Sequence, residues 1–325
     1  SYLGYFKKEK MMLQTINLSI GYGKNIVQKE LNLTADSGRL ICIIGRNGCG
    51  KSTLLRTLSG LQPALSGQVL IGSKNIAKLS DYQRSTLLSL VLTDKIEVEN
   101  MTIFELAALG RYPYTSWNGN LSKEDKKIVQ QALNQVNLLH LQNKNLSEAS
   151  DGEKQRAVIA KALAQDTPLV LLDEPTSHLD LINRIEIMML LRSLSVTTKK
   201  TFILSTHELD LALKMADYIW LMNKNGIAAG IPEDLMLSGV FQQSFENKHF
   251  NFDTEDGNYK IFQPVGTLKA AVEGNSKNAK WLKRAFVRCG IIEDKTAELK
   301  IQIIDNQFII KDKKFYHIEE VLMNL

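Results

Sequence analysis

The chain has 325 residues and is 44% hydrophobic, which is enough for one large globular domain with a smaller one attached. Its 40 basic and 35 acidic residues are interspersed and give a net charge of +5, so we expect no nucleic-acid partner. Apolar runs such as residues 87–92 are far shorter than the roughly 18 residues that a membrane span needs.

Three cysteines, an odd number without metal-ligand spacing, favour a reducing, cytoplasmic setting. Residues 1–11 do not read as a secretory signal and are interpreted as a leader or an added segment.

The first predicted elements are strands. Residues 13–20 alternate as a strand, and a short strand is predicted over residues 31–33. Tyr22 lies between two glycines in a predicted turn, and its ring is either an ordinary turn aromatic or a platform for a purine base. The two sides of the first strand are predicted to be Leu13, Thr15, Asn17 and Ser19 against Ile16, Leu18 and Ile20.

Residues 40–53 form the strongest local motif. The apolar run 40–44 predicts a buried strand and residues 53–58 predict a helix, with a glycine-rich stretch between them. This is the pattern of a phosphate-binding P-loop, in which backbone N–H groups surround a polyphosphate, Lys51 reaches its outer phosphates and Ser52 ligates Mg²⁺. A glycine turn that matches by chance is the competing interpretation, and the small side chain at Cys49 is explained by space. The predicted nucleotide-binding residues are Gly45, Arg46, Asn47, Gly48, Cys49, Gly50, Lys51, Ser52 and Thr53.

Strands predicted over residues 68–72 and 87–93 complete an α/β core with an antiparallel portion, and a helical insert follows over residues 94–165. Capping boxes begin helices at Thr102 and Ser122. The aromatic, proline-containing segment 111–117 is predicted to be a loop that is either ordinary or a surface for a partner.

Residues 150–153 open the last helix of the insert. Ser150 and Glu153 form a capping box, so the helix begins with N–H groups that can hold an anion. A well-capped structural helix explains the same residues, and the binding interpretation depends on the motifs that follow. The candidate residues are Ser150, Asp151, Gly152 and Glu153.

Two later strands end in candidate catalytic residues. The apolar strand 169–172 is followed by Asp173 and Glu174, and ligands of open α/β sheets bind at this end of the strands. Asp173 is the predicted metal-side acid, and Glu174 is the predicted general base for the water that attacks the γ-phosphate. His207 follows the strand 201–205 and is placed near the same phosphate, although a lone histidine is more often structural.

The end of the chain predicts further small elements. Residues 218–222 and 227–230 indicate a hairpin with a type I′ turn at Asn225-Gly226. Residues 266–325 predict a strand, a helix, a hairpin and a closing helix. We interpret them as a small α+β accessory domain, either a regulatory or dimer-contact module or a structural appendage.

The ordered set of Tyr22, the P-loop, residues 150–153, Asp173-Glu174 and His207 resembles the ATP-binding subunit of an ABC transporter over residues 12–265. The amino-acid sequence of the insert, at residues 101–114 and 164–168, resembles that of importers of iron siderophores, haem and vitamin B12. The resemblance implies a P-loop NTPase of the α/β class with an antiparallel β subdomain and a helical insert, which binds ATP and Mg²⁺. It implies Glu174 and His207 as catalytic residues and Ser52, Thr93 and Asp173 as metal-side residues.

The same resemblance implies partners. In the family, two copies face each other, so that residues 150–153 of one copy cover the ATP held by Lys51 of the other. The helical insert docks on membrane-spanning permease subunits at the cytoplasmic face of the membrane, and a periplasmic or surface binding protein delivers the cargo to the permease.

The chain departs from the family pattern at two places in the site. Thr93 stands where a glutamine is usual, and its shorter hydroxyl would reach Mg²⁺ only through water. Residues 149, 151 and 153 are Ala, Asp and Glu in place of leucine, glycine and glutamine, and an acid near a γ-phosphate is repulsive unless the helix dipole offsets it. The alternative functions are a non-transport ABC ATPase, an ABC transporter subunit for another cargo, and a P-loop kinase. The sequence does not identify the cargo.

Overall fold

A computed structural model describes residues 10–93, 100–115, 119–245, 250–253, 258–261, 266–274 and 276–325. The chain forms two compact units, of which the first comprises residues 1–245 and 254–258 and the second residues 246–253 and 259–325. The domain boundary that we place at residue 265 stays a prediction. None of the helices in the described ranges is long and apolar enough to cross a membrane.

The first unit contains two sheets and most of the helices. Its elements in chain order are β1 (Met11–Tyr22), β2 (Asn25–Leu31), β3 (Thr34–Asp36), β4 (Leu40–Gly45), α1 (Lys51–Ser59), β5 (Ser66–Ile71), β6 (Lys74–Asn75), α2 (Asp81–Ser85), β7 (Leu88–Val91), α3 (Ile103–Ala108), α4 (Lys123–Gln135), α5 (Asp151–Ala164), β8 (Leu169–Leu172), α6 (Leu181–Thr198), β9 (Thr201–Ser205), α7 (Leu209–Met215), β10 (Tyr218–Asn223), β11 (Gly226–Gly230), α8 (Pro232–Leu237) and α9 (Val240–Phe245).

The larger sheet has the strand order β11-β10-β4-β9-β8-β7. All of its pairings are parallel except that of β10 with β11, so the carboxyl ends of β4, β9, β8 and β7 meet at one edge. Strands β4, β8 and β9 are buried throughout, as expected of a parallel sheet covered on both faces. This edge carries the candidate catalytic residues.

The smaller sheet is antiparallel, with the order β2-β1-β5-β6 and with β3 also paired to β1. Leu54, Leu55 and Leu58 of α1 join a core cluster that contains residues of both sheets. Helix α1 is therefore fixed between the two sheets, which holds the loop before it in place. The predicted α/β core with an antiparallel portion is confirmed.

Strand β1 is less regular than the predicted alternation. Leu18 and Ile20 are buried as Leu13 and Thr15 are, whereas Ile16 is exposed, so the predicted division into two sides is wrong. Asn17 has a φ of 46°, and the pairing with β5 shifts register between Ile16 and Ser19. This bulge moves the following residues to the other face of the strand.

The short strand predicted over residues 31–33 is also wrong. Strand β2 ends at Leu31, and β3 begins at Thr34. Between them the Thr15 hydroxyl donates to the Leu31 carbonyl and accepts from the Leu33 N–H, at 2.9 Å and 2.8 Å. The Thr15 side chain of β1 thus holds the connection between β2 and β3 in place.

The helical insert forms between β7 and β8. Its predicted capping boxes are present at Thr102, Ser122 and Ser150. The segment predicted to be a loop begins instead as a 3-10 helix (Leu109–Tyr114), while residues 116 and 117 lie outside the described residues. Tyr112 is exposed there, so a role of this segment in partner binding stays a prediction.

The predicted hairpin of β10 and β11 is present, but its turn differs. Asn223 pairs with Gly226, so the turn residues are Lys224 and Asn225 rather than Asn225 and Gly226. Neither turn residue has a positive φ, whereas a type I′ turn requires this at both positions.

The second unit contains the predicted elements and four additional short strands. A two-stranded ribbon precedes its five-stranded sheet, which has the order β15-β14-β16-β17-β18. Leu282, Phe286, Ile301 and Phe308 lie in its core, so this unit has a core of its own. The elements are β12 (Phe250–Asp253), β13 (Asn258–Ile261), β14 (Lys269–Glu273), α10 (Lys277–Cys289), β15 (Ile292–Glu293), β16 (Lys300–Ile304), β17 (Gln307–Ile310), β18 (Lys313–Phe315) and α11 (Ile318–Met323).

Candidate active site

The P-loop follows β4 and has close neighbours that only glycine tolerates. A Cβ atom on Gly50 would lie 2.3 Å from Cγ1 of Val27, and one on Gly45 would lie 2.3 Å from the Met222 carbonyl oxygen. Gly50 also has a φ of 105° at the N-cap of α1 and offers no side-chain cap. The first N–H groups of α1 therefore lack a capping side chain and can bind an anion.

A cavity of about 520 Å³ opens over this loop. It brings together residues that the sequence places up to 185 positions apart, from Tyr22 to His207. It is the size of a small-molecule site. Its lining comprises Tyr22, Val27, Asn47, Gly48, Gly50, Lys51, Ser52, Thr53, Glu174 and His207.

Lys51 and Cys49 differ in character although they are close neighbours. The Lys51 amine is buried and donates to the Gly45 carbonyl oxygen at 3.0 Å. Burial lowers the pKa of Lys51, while the charges of Glu174 and Asp173 act in the opposite direction. Burial raises the pKa of the Cys49 thiol, which keeps it neutral. Cys49 therefore fills space beneath the loop, while Lys51 faces the cavity.

Asp173 lies behind the cavity and is held by two hydroxyls. Its Oδ1 accepts hydrogen bonds from Ser52 Oγ at 3.1 Å and from Ser205 Oγ at 2.6 Å. Its side chain is buried, and its backbone N–H donates to the Val91 carbonyl oxygen at 2.8 Å. A buried carboxylate with these partners has a fixed orientation toward Ser52.

Glu174 and His207 face each other at the cavity. The distance between Glu174 Oε1 and His207 Nε2 is 2.6 Å. Glu174 has a φ of 48°, a conformation that residues other than glycine rarely adopt. Such backbone strain occurs preferentially at functional sites. The carboxylate and the imidazole are thus arranged to share or exchange a proton.

Tyr22 lines the cavity, whereas Thr93 lies outside its lining. The Tyr22 ring is 53% exposed at the cavity, with its hydroxyl 3.4 Å from Thr53 Oγ1. Thr93 is not among the lining residues, and its hydroxyl donates to the Asp173 carbonyl oxygen at 3.0 Å. Gly45, Arg46, Cys49 and Asp173 are likewise not in the lining.

Residues 150–153 do not line the cavity of their own chain. Ser150 accepts from the Glu153 N–H, and Glu153 accepts from the Ser150 N–H, at 3.2 Å and 2.8 Å. A hydrogen bond from Lys144, at 2.7 Å, lowers the pKa of Glu153 and balances its charge. Gly152 is buried against Asn183, whose Oδ1 would lie 2.3 Å from a Cβ atom at this position. Glu153, one of the two acids that the sequence places near a phosphate, thus has its own cation.

Two contributors to the site were not predicted. Val27 lines the cavity from β2, a strand that the sequence pattern did not indicate. Ser205 joins Asp173 to Glu174, since its hydroxyl also accepts from the Glu174 N–H at 2.9 Å. The available signal for Ser205 was its position as the polar end of a buried strand, two residues before His207.

The donor set fits a small divalent cation beside phosphates. The described residues contain no group of three or more His, Cys, Asp or Glu side chains able to hold a metal on their own. Mg²⁺ in nucleotide sites instead takes few protein oxygens and completes its shell with phosphates and water. Ser52 Oγ and Asp173 Oδ1, 3.1 Å apart, supply oxygens of that kind.

Comparison with known proteins agrees with this geometry. The family described as ABC transporter matches residues 28–177. The ABC transporter ATP-binding protein MJ0873 of Methanocaldococcus jannaschii is 39% identical over 251 residues, which cover 77% of this chain and 87% of that protein. The petrobactin import ATP-binding protein FpuD of Bacillus anthracis is 37% identical over 225 residues, covering 69% and 82% of the two chains.

A solved structure adds a dimeric example. The ATP-binding cassette MJ0796, in a dimeric post-hydrolysis state with ADP and Pi, matches with a TM-score of 0.58 and 26% identity. The match covers 68% of this chain and 99% of that one. The strand order, the P-loop cavity and these similarities lead to one conclusion: the chain belongs to the ATP-binding proteins of ABC transporters, which are ATPases.

Proposed function

We propose that the chain hydrolyses Mg·ATP in the cavity above the P-loop and uses closure of a homodimer to power import through a membrane permease. The single observation that carries the catalytic part is the 2.6 Å contact between Glu174 and His207 at the same cavity as Lys51 and Ser52. This contact supports the assignment of Glu174 as a base with His207 as its proton partner beside the phosphate-binding loop.

The polyphosphate is bound by the P-loop. Its backbone N–H groups and the N-terminus of α1 surround the β- and γ-phosphates, and the Lys51 amine exchanges the Gly45 carbonyl for phosphate oxygens. Tyr22 stacks on the adenine, since its ring is exposed at the cavity. The P-loop residues Asn47, Gly48 and Thr53, which line the cavity, complete the contacts.

Ser52 and Asp173 would hold Mg²⁺ beside the phosphates, and Thr93, whose hydroxyl donates to the Asp173 carbonyl oxygen, would contribute on the same side. When bound, Mg²⁺ would neutralise charge on the β- and γ-phosphates. Glu174 accepts the proton of the attacking water, and His207 orients the Glu174 carboxylate and contacts the γ-phosphate.

The other half of the site comes from the facing copy. Ser150, Asp151, Gly152 and Glu153 lie at the start of α5 and outside the cavity of their own chain. The Lys144–Glu153 pair supports this assignment, because it neutralises one of the two carboxylates at the helix N-terminus that would otherwise repel a phosphate. A dimeric structure of a related cassette supports it further.

We assign the cargo to the class of ferric siderophores. The similarity to a petrobactin import subunit supports this cargo class, as does the amino-acid sequence of residues 101–114. The permease binds the helical insert at the cytoplasmic face of the membrane, and a periplasmic or surface binding protein delivers the chelate.

The test is co-purification followed by uptake. The tagged chain is co-expressed with the membrane protein encoded beside it, and the complex is placed in proteoliposomes with ATP inside. We expect the permease to be retained and ferric siderophore to enter, but not when Glu174→Gln replaces the native chain. Uptake of haem or cobalamin alone would reassign the cargo. An active ATPase that retains no permease would indicate a non-transport ABC ATPase.

Thr93→Gln tests the metal-side assignment. The longer side chain can contact Mg²⁺ directly rather than through water, so the Mg²⁺ concentration that half-saturates the ATPase is expected to fall severalfold. The measurement is phosphate release across a Mg²⁺ titration at saturating ATP. Thr86→Gln is the control, because Thr86 bonds only within its own helix turn, to the Gln83 carbonyl. An unchanged Mg²⁺ dependence would remove Thr93 from the metal side.

A further inference from the structure

Ser205 is a fully buried hydroxyl with two partners that belong to the candidate catalytic pair. It is the last residue of β9, which is otherwise Thr201-Phe202-Ile203-Leu204. Its Oγ donates to Asp173 Oδ1 at 2.6 Å and accepts from the Glu174 N–H at 2.9 Å. Because a serine hydroxyl has one proton, donation to Asp173 leaves a lone pair for Glu174. One side chain therefore fixes both acids.

The peptide between Asp173 and Glu174 is held from both neighbouring strands. On the β7 side, the Thr93 hydroxyl donates to the Asp173 carbonyl oxygen at 3.0 Å. On the β9 side, Ser205 accepts from the Glu174 N–H of the same peptide. The hydroxyls of Thr93 and Ser205 thus contact the same peptide unit, one at its carbonyl oxygen and the other at its N–H.

This peptide leads into an unusual conformation. Glu174 has a φ of 48°, and its carbonyl oxygen accepts from the Ser177 N–H at 3.0 Å. A left-handed residue other than glycine persists only where its surroundings hold it. The Glu174 N–H is held by its hydrogen bond to Ser205. This contact therefore helps to set the direction of the Glu174 carboxylate.

We propose that Ser205 is a positioning residue for ATP hydrolysis. It does not line the nucleotide cavity and acts through its neighbours. Its hydroxyl fixes the Asp173–Glu174 peptide so that the Glu174 carboxylate stays against His207 and faces the attacking water. The inference rests on the proposed role of Glu174 as the base.

The test compares Ser205→Val with Ser205→Thr. Valine and threonine have nearly the same shape, and only threonine keeps a hydroxyl. With Ser205→Val we expect kcat to fall about 10-fold or more while the KM for ATP changes less than about 2-fold, since the loss concerns the transition state rather than binding. Ser205→Thr should recover most of the kcat. Ser205→Ala removes the hydroxyl without adding volume and should show the same fall.

A second readout separates positioning from folding. A variant that binds ATP but hydrolyses it slowly should accumulate the ATP-bound dimer on a sizing column with Mg·ATP, whereas a merely destabilised variant should not. Ser89→Val is the matched control, because Ser89 is also buried in this sheet and its hydroxyl accepts from Thr167 Oγ1 at 3.1 Å. It should keep the native kcat and form no stable dimer.

The outcomes distinguish this inference from the proposed function. Equal kcat values for Ser205→Val and Ser205→Thr, or for Ser205→Ala and the native chain, would overturn the positioning role. In a Glu174→Gln background, Ser205→Val should cause little additional loss, and a full additional loss would also overturn it, because residues that act as a unit are not additive. If Glu174→Gln itself keeps native turnover, the proposed function fails first.

Discussion

Replacing Glu174 with glutamine is expected to lower the ATPase kcat by about 10²- to 10³-fold, in the range measured for general bases. Glutamine keeps the shape of the side chain and one hydrogen bond toward His207, but it cannot accept a proton from water. The P-loop and Lys51 are untouched, so Mg·ATP binding should persist. Phosphate release measures the turnover, and a sizing column in Mg·ATP should show an accumulated dimer.

The control for this experiment is Glu186→Gln. Glu186 forms an exposed ion pair with Arg156 and lies outside the cavity, so the same chemical change there should leave turnover intact. Native turnover in Glu174→Gln would remove Glu174 as the base. A variant that binds ATP and yet stays monomeric would count against the shared site, in which residues 150–153 come from the second copy.

Replacing Arg111 with methionine is expected to lower the free energy of unfolding by about 3 kcal/mol, as for other broken buried ion pairs. Arg111 Nε lies 2.9 Å from Asp125 Oδ1, and both side chains are buried. The guanidinium also donates to the Ala164 carbonyl oxygen at 2.9 Å and lies 4.0 Å from the centre of the Tyr114 ring. Methionine fills part of the volume but leaves the Asp125 carboxylate without its cation. Urea denaturation followed by circular dichroism measures the change.

Lys214→Met is the control for this loss. Lys214 pairs with Asp210 on an exposed face of α7, where such pairs contribute less than about 0.5 kcal/mol. Adding Asp125→Asn to Arg111→Met should restore part of the stability, because it removes the unpaired charge. A loss from Arg111→Met as small as that of the control would contradict the structural role of the pair.

The same pair gives stability a pH dependence. Hydrogen bonds from the Ser122 hydroxyl and from Arg111 lower the pKa of Asp125 in the folded chain. A group whose folded pKa is lowered contributes stability that is present above its unfolded pKa, about 4, and is lost as the pH falls through the folded value. The native chain should therefore lose this contribution in acid, and Arg111→Met should show a smaller loss.

The parts of the site that follow strand ends could be predicted from the sequence. Gly45 to Thr53, Asp173 with Glu174, and His207 each lie after an apolar run, and parallel strands bring such ends to one edge. The structure places Lys51, Ser52, Glu174 and His207 at one cavity. Their proposed roles stay predictions until a variant is measured.

The bulged strands could not be predicted, because a positive φ at Asn17 or Glu30 leaves no mark on the hydrophobic pattern beyond a broken alternation. For the same reason the sequence pattern did not predict β2, and the position of Val27 at the cavity was missed with it. The contact of Ser205 with Asp173 joins residues 32 positions apart, and spacing alone does not report such pairs. The structure was required for both.

Thr93 illustrates a different limit. Its type and position suggested a shortened substitute for glutamine, and the sequence directed attention only to the metal. The structure shows that its hydroxyl is bonded to the Asp173 carbonyl oxygen. A substitution that weakens one contact can thus provide another that only coordinates reveal.

Gln165, the residue that follows helix α5, attaches the end of this helix to the sheet. The Gln165 amide, which follows the last turn, donates to the Ser85 and Leu88 carbonyl oxygens at 2.7 Å and 2.9 Å, next to the start of β7. Fourteen helical residues separate this anchor from Ser150, a length of about 21 Å. The other end of the helix is attached as well, since Gly152 is buried against Asn183 of α6. The residues proposed to reach the other copy are therefore held at a set distance from the sheet edge that carries Asp173 and Glu174.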